Sequence, residues 1–401
     1  MNRAVLLTGA TGFLGRELLK QLVEELPTEQ TIYCLIRGQA ESKSAHPSGQ
    51  APSQQAQAEA RLHKLLAELG YPDLTVAKVA RVRAVGGDIS QPRLGADHVY
   101  LTALIQHVGH IYHGAATVRF DHPLAEARRI NVEGTRQVLE LTQRIKAAGG
   151  TTRLSYIGTA FVSGTRRGRI FESELSTDQP FHNTYEQTKA EAEALVRSYM
   201  TDHGLQATLF RPSIIVGDSR TGETSSFKVM YWPLKVFSRG LIPIVPAARA
   251  GIVDMVPVDY VIAAIGALSC RQESIGRCYH LCAGPEGATT IGAALDQAAA
   301  FFRVRKPLFV PTETFERYIR PLFRLFFRGK RRQALDAGRV YVPYLNFRAS
   351  FDTTQTRQDL AGTGIAPPSV HDYFAKLMRF CVDTNWGKSP PRPSTPGGAG
   401  Q

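Results

Sequence analysis

The segment Thr8-Gly9-Ala10-Thr11-Gly12-Phe13-Leu14-Gly15 stands between an apolar run, Ala4–Thr8, and a stretch of helical periodicity, Arg16–Leu26. Three glycines at that junction constrain the chain more than any other feature. Glycine is needed where a chain turns tightly and where its backbone must approach a pyrophosphate, and the helix that follows offers free N–H groups and a positive dipole end to that anion. Thr8, Gly9, Thr11, Gly12, Phe13, Leu14 and Gly15 are therefore candidate cofactor-binding residues.

The next 200 residues repeat the same rhythm. Thr31–Ile36, Val82–Gly86, His110–His113, Leu154–Ile157 and Ala207–Phe210 read as strands. Glu59–Leu69, Val132–Ala147 and Thr184–Met200 read as helices. This alternation predicts an α/β fold, a Rossmann-like doubly wound parallel sheet, with a smaller and mostly helical C-terminal substrate domain. The expected division is 1–275 for the nucleotide domain, with 216–255 contributing to the substrate site, then 276–386 for the second domain and 387–401 for a disordered tail. The return to a strand–helix pattern at Asp254–Leu268 makes the two parts interleave. Gly38–Ala58, rich in Ser, Gln, Ala and Pro, reads as a surface insertion.

Composition narrows the function. Lys and Arg number 48 against 35 Asp and Glu, a net charge of +13. A surplus of that size favours polyanionic partners such as nucleotide phosphates, acidic carrier proteins or anionic lipid. No nucleic-acid reading motif accompanies it, so nucleic acid is not an expected partner. No apolar run reaches the ~18 residues of a spanning helix. The five cysteines, Cys34, Cys270, Cys278, Cys282 and Cys381, are odd in number and scattered, as in reduced, cytoplasmic proteins. Neither the Cys278/Cys282 pair nor the histidines at 107, 110, 113 and 122 show the spacing of a metal site, and no metal is expected.

Arg37 follows the second strand, where the adenosine ribose is read in such sheets; a cation there favours a 2′-phosphate, hence NADPH. Tyr185 and Lys189 lie four apart on one helix face, so an ammonium could draw a phenol of reference pKa near 10 toward its working range. A second Tyr/Lys pair at the same spacing, Tyr231 and Lys235, encloses Trp232-Pro233 and follows no strand; it reads as coincidence. Phe227, Met230, Tyr231, Trp232, Leu234, Val236 and Phe237 form an apolar stretch suited to a greasy substrate or to plain core packing.

With its leading threonine the glycine turn resembles that of the extended short-chain dehydrogenase/reductases. Cys34-Leu35-Ile36-Arg37-Gly38, Gly87-Asp88-Ile89, His113-Gly114-Ala115-Ala116-Thr117-Val118, Asn131-Val132-Glu133-Gly134-Thr135 and Val256-Pro257-Val258-Asp259-Tyr260-Val261 resemble one branch of them: the fatty acyl-CoA reductases of the male-sterility type and the thioester reductase domains of carboxylic acid reductases and peptide synthases. The resemblance covers most of 4–270, and Tyr341–Trp386 follows it more loosely. It implies that Asp88 and Ile89 meet the adenine, that Gly114, Ala115 and Ala116 let the cofactor approach, that Arg211, Pro212 and Ser213 border the nicotinamide, and that Lys189 also binds its ribose. It implies a catalytic set of Thr159, Tyr185 and Lys189, with Gly164 five residues past Thr159; many relatives carry Ser where this chain has Gly158. The implied reaction is reduction of an acyl thioester of coenzyme A or an acyl carrier protein to aldehyde or alcohol. Competing readings are a nucleotide-sugar epimerase or dehydratase on the same fold, and a cofactor-binding protein without activity. Residues 314–332, with Phe315, Tyr318, Ile319, Leu322 and Phe326 opposite Arg317, Arg320, Arg324, Arg328 and Arg331, read as a basic amphipathic helix able to touch membrane, carrier protein or coenzyme A phosphates.

Overall fold

Runs such as Ala-Val-Leu-Leu-Thr at 4–8 are buried at every position because both faces of the strand are covered, the signature of a parallel sheet inside two helical layers. The structure is a computed structural model and describes residues 3–38, 52–227, 230–326, 328–329, 332 and 338–389. Most of the expected insertion, 39–51, and most of the expected tail, 390–401, lie outside the described residues. Of the tail, Lys388 and Ser389 still bond back to the carbonyl of Thr384.

Seven strands build the main sheet: β1 Ala4–Thr8, β2 Ile32–Ile36, β3 Val82–Gly86, β4 Val108–His113, β5 Arg153–Ile157, β6 Gln206–Pro212 and β7 Cys278–Leu281. Their spatial order is β7-β6-β5-β4-β1-β2-β3, all parallel. The chain runs outward from β1 through β2 to β3, then jumps back to lay β4 on the other side of β1. That reversal opens a crevice at the carboxyl ends of β1 and β4, where ligands of doubly wound folds bind. β7 lies past the expected boundary at 275, so the sheet takes its last strand from the region assigned to the second domain.

The flanking helices used below are α1 Phe13–Glu25, α2 Gln54–Glu68, α3 Gly134–Ala147, α4 Thr184–His203, α5 Val258–Ser269 and α6 Val370–Asp383. The helix expected from Glu59 begins at Gln54, because Ser53 caps it by accepting from the Ala56 N–H at 3.2 Å. One sheet face is packed by Leu18, Leu19 and Leu22 of α1, Leu62 and Leu66 of α2 and Val261, Ile265 and Leu268 of α5. The other is packed by Val138, Leu139, Leu141 and Ile145 of α3 and Ala192 and Val196 of α4. Burial of these side chains supplies about 1.5–3 kcal/mol each.

The C-terminal region is tied in by short parallel pairs, Met255–Pro257 with Ile214–Val216 and Ala349–Phe351 with Gly168–Ile170. Its own core joins Tyr231, Leu234 and Phe237 to Tyr373, Phe374, Leu377 and Met378 of α6. The apolar stretch at 227–237 is thus largely core. Tyr231 spends its hydroxyl on the Gly217 N–H at 2.8 Å, and Lys235 lies over Trp386, so this second Tyr/Lys pair is structural.

Candidate active site

The glycine turn is held where no side chain fits. Gly9 has φ +83°, and a Cβ there would fall 2.7 Å from the Ala115 nitrogen; one on Gly15 would fall 2.0 Å from the Gly9 carbonyl oxygen. Gly12 caps α1 without a side chain, and the first turn of α1 carries no acid, so its N–H groups face the crevice free for an anion. Thr11 and Gly12 are exposed, Phe13 and Leu14 half-buried. The Thr8 hydroxyl joins this turn to the next one: Ala115 N–H donates to it at 3.3 Å, and it contacts His113 Nδ1 at 2.7 Å.

The donor directions there can be worked out. Thr135 donates its hydroxyl to the Asn131 carbonyl at 2.7 Å, so it accepts from His113 Nε2–H at 3.1 Å. Burial, with Lys189 nearby, holds the His113 imidazole neutral, near 3. Nδ1 is therefore the acceptor and Thr8 the donor. His113 is a core histidine that spaces the Gly9 turn from Gly114-Ala115-Ala116. His110, likewise pushed down to about 3 by burial, bonds Ser155 at 2.9 Å. Among the described residues no three His, Cys, Asp or Glu converge as a metal site.

Arg37 and Asp88 leave the ends of neighbouring strands β2 and β3 and meet at 3.9 Å. The pair is loose: Arg37 is 68% exposed, while Asp88 Oδ1 is engaged by the Ser90 N–H and hydroxyl, each at 2.9 Å. Sequence reasoning missed Arg61, which reaches from α2 to the Arg37 carbonyl. Burial and the Arg37 charge both lower its guanidinium pKa. Two cations thus share the end of β2. Ile89 is buried against Gly134 of α3, so its side chain belongs to the core.

The residues expected to carry acid–base chemistry converge at the end of β5. Thr159, 4% exposed, caps the short 3₁₀ turn Ala160–Ser163, its hydroxyl accepting from the Phe161 N–H at 3.3 Å, and lies beside the Tyr185 phenol. Gly164 closes that turn with φ +56°. Asn183 caps α4 by accepting from the Glu186 N–H at 3.0 Å, which sets Tyr185 in the first turn. Lys189, one turn on, donates to the Ile157 carbonyl at 2.9 Å and lies 4.4 Å from the centre of the Tyr156 ring.

The expected lowering of the Tyr185 phenol is not what this geometry gives. Burial pushes it up to about 12, eased by Thr159 and reinforced by the Glu186 carboxylate. Lys189 is itself lowered to about 8 by burial, against the pull of Glu193. The phenol is consequently a protonated acid at neutral pH, the state a reduction requires.

Arg211 does not offer its side chain to a nicotinamide. Its guanidinium is fully buried, donating from Nε to Glu193 at 2.9 Å and from Nη2 to the other carboxylate oxygen at 2.6 Å, and to the Glu174 carbonyl at 2.7 Å. Pro212 ends β6, and Ser213 after it is buried with its N–H donating to the Leu281 carbonyl at 3.3 Å. Asn131 bonds the Thr117 backbone and, at 2.9 Å, the Thr188 hydroxyl, so it ties the loop after β4 to α4.

Rings from the loop after β4 and from the C-terminal region stand near Tyr185. Phe120 lies 5.8 Å from Tyr185 and 5.5 Å from Tyr344, which meets Phe161 edge-on at 5.4 Å. None of these has a sequence signal beyond being aromatic. In the 314–332 segment the two stripes do not hold: Phe315 and Arg320 are buried, with Arg320 bonded to Glu316 at 2.7 Å, while Tyr318, Leu322, Leu325 and Phe326 are exposed. Arg331 lies outside the described residues.

A family profile described as "Male sterility protein" matches residues 7–265. The chain is 32% identical over 285 residues to a component of the linear gramicidin synthase of Brevibacillus parabrevis, covering 70% of this chain and 5% of that one. It is 28% identical over 291 residues to fatty acyl-CoA reductase 1 of Xenopus laevis, covering 65% of this chain and 53% of the relative. Thus it spans about half or less of these curated relatives. Among solved structures, the terminal R domain of the myxalamid PKS-NRPS pathway superposes with a TM-score of 0.76 at 29% identity, over 97% of this chain and 92% of that one. An NAD-bound UDP-glucuronic acid 4-epimerase from Bacillus cereus, at TM-score 0.64 and 17% identity over 96% and 98%, shares the fold.

Proposed function

Because the chain belongs to the male sterility protein family of extended short-chain reductases, we propose that it reduces an acyl thioester, carried by coenzyme A or an acyl carrier protein, with NADPH. The observation that carries this reading is the convergence of Thr159, Tyr185 and Lys189 at the end of β5, where Thr159 eases the Tyr185 phenol and Lys189, one turn behind it, donates to the Ile157 carbonyl. The cradle fits a dinucleotide: the Gly9 and Gly15 positions admit no Cβ, and the start of α1 has free N–H groups. Arg37 and Arg61 would hold a 2′-phosphate, whose charge relieves their mutual repulsion. Lys189 would bind the nicotinamide ribose.

When bound, the dihydronicotinamide supplies a hydride to the thioester carbonyl carbon. Thr159 and Tyr185 direct their hydroxyls at the carbonyl oxygen, and Tyr185 gives up its proton as charge develops there. Collapse of the resulting hemithioacetal releases thiol and aldehyde, and a second reduction gives alcohol. No thiol nucleophile is needed, and Cys34, Cys278, Cys282 and Cys381 are buried. All five cysteines are free thiols, in keeping with a reducing, cytoplasmic setting.

The exposed Tyr318, Leu322, Leu325 and Phe326, alternating with Arg317, Arg324 and Arg328, suit peripheral contact with anionic lipid. No helix among the described residues is long and apolar enough to cross a membrane. Co-sedimentation with anionic but not zwitterionic vesicles is the expected result; no binding to either removes this contact.

NADPH consumption with an acyl-CoA chain-length series, and with acyl carrier protein thioesters, tests the main reading. Formation of free thiol with aldehyde or alcohol, identified by mass, is expected. Failure of every thioester in a protein that still binds NADPH would favour the epimerase-type or inactive reading.

A further inference from the structure

We infer that Tyr344, supplied by the C-terminal region, is a positioning residue for Tyr185: it locks the first turn of the catalytic helix and walls the space over the phenol. The inference rests on the reading of Tyr185 as the proton donor, and it assigns a task to a segment far away in sequence.

Tyr344 lies in the 3₁₀ segment Gly338–Asn346. Its hydroxyl donates to Glu186 Oε1 at 2.5 Å and accepts from Asn183 Nδ2–H at 2.7 Å. Asn183 is the residue that caps α4, and Glu186 is the neighbour of Tyr185. One hydroxyl therefore grips both ends of the turn that carries the phenol. Glu186 is fully buried, and its other oxygen takes the His182 N–H at 3.0 Å and faces His182 Nδ1 at 3.0 Å. Among the described residues no lysine or arginine is bonded to this carboxylate, so its burial depends on hydrogen bonds from its neighbours, Tyr344 among them. Removing one leaves a buried charged oxygen short of a donor, and the turn must shift to re-satisfy it.

The ring acts separately from the hydroxyl. Tyr344 stacks on Phe120 at an interplanar angle of 25°, and Phe120 in turn contacts Tyr185. Phe161, two residues past Thr159, closes the same group edge-on. Aromatic faces thus border both hydroxyl-bearing catalytic residues, and one of those faces comes from the C-terminal region. This arrangement gives that region a part in both rate and acyl recognition.

Tyr344→Phe keeps the ring and removes the hydroxyl; Tyr344→Leu removes both. In the full-length protein, Tyr344→Phe is expected to lower kcat about tenfold, the effect of one hydrogen bond to a charged group, with the KM for thioester and the affinity for NADPH unchanged. Tyr344→Leu is expected to lower kcat and also to raise the thioester KM. In protein labelled with ¹³Cζ-tyrosine, the Tyr185 resonance, assigned by its loss in Tyr185→Phe, is expected to move in Tyr344→Phe. Wild-type kcat with an unmoved Tyr185 resonance overturns the inference. So does a loss confined to the number of NADPH-binding sites, with kcat per site unchanged, since that marks a merely structural role. If wild-type protein turns over no thioester, the proposed function fails and the resonance decides this inference alone: a shift supports the positioning role, no shift overturns it.

Discussion

Two buried cations, Lys189 on α4 and Arg211 on β6, lie beside the same stretch of helix and meet opposite fates. Around Arg211 every charge is matched. Burial by itself would push the Glu193 carboxyl up, but Arg211 and Arg197 hold it below its ordinary value, and Arg211 is in turn raised. Even the neighbouring His280 is held neutral by burial and by the Arg211 charge, and with its Nδ1–H donating to the Asp352 carbonyl at 2.7 Å its Nε2 is left to accept from Arg211 at 3.2 Å. Around Lys189, four residues before Glu193, the ammonium has a carbonyl, a ring face and a distant carboxylate, and its pKa falls to about 8. A charge that only holds the fold is neutralised by a bidentate partner. The charge that the proposed function gives to a ligand is left underpaired.

The comparison can be broken most sharply at the residue Lys189 serves. Tyr185→Phe is expected to cut turnover by about 10²–10⁴ while NADPH binding, followed by fluorescence, stays intact; activity within threefold of wild type would remove Tyr185 from the chemistry. On the other side, Arg211→Leu takes from the buried Glu193 its bidentate partner and leaves it only the partly exposed Arg197. It is expected to cost about 3–5 kcal/mol of stability, read by chemical denaturation. A loss below about 1 kcal/mol would show that Arg211 is not the structural member of the pair. Lys189→Met should behave in the opposite sense, with little stability lost and most activity gone.

Smaller effects are expected at the adenosine end, where neither cation is buried in a matched pair. Arg37→Ala should weaken NADPH about tenfold and leave NADH nearly unchanged, by removing one charge-assisted contact to a 2′-phosphate. Arg61→Ala should add to it. Equal losses for both cofactors would refute the 2′-phosphate reading.

How much of this was legible in the sequence depends on whether backbone or side chain makes the feature. The glycine turn, the strands and the Tyr185/Lys189 spacing follow from local rules, and the structure sets them where those rules predict. The place of Cys278–Leu281 as the seventh strand of the main sheet was hidden because it joins the sheet only after a long excursion of the chain. The role of Arg211 was hidden for a different reason: a basic residue at a strand end looks the same whether it faces a ligand or a glutamate 18 positions earlier. Tyr344 and Phe120 could not be found at all, since what qualifies them is proximity across a fold. The 227–237 stretch is a third case: its apolar composition suited a greasy substrate and core packing equally, and Tyr231, Leu234 and Phe237 pack with α6.

The finest test of the contrast is a pH profile. With Lys189 lowered to about 8 and Tyr185 raised to about 12, the two groups titrate in the order opposite to a phenol activated as phenolate. Below pH 8 Lys189 is charged and Tyr185 protonated, the combination that the proposed function requires to bind the cofactor ribose and donate a proton. As pH rises through about 8 the ammonium is lost first, so kcat/KM for thioester reduction should stand at about half its plateau near pH 8 and fall tenfold per unit beyond it. His113 cannot produce this limb, because its imidazole is already neutral. Arg211 cannot either, because its pairing moves it away from the accessible range. A plateau that runs flat to pH 10 would place the Lys189 ammonium in a matched environment like that of Arg211, and the contrast between the two cations would be lost.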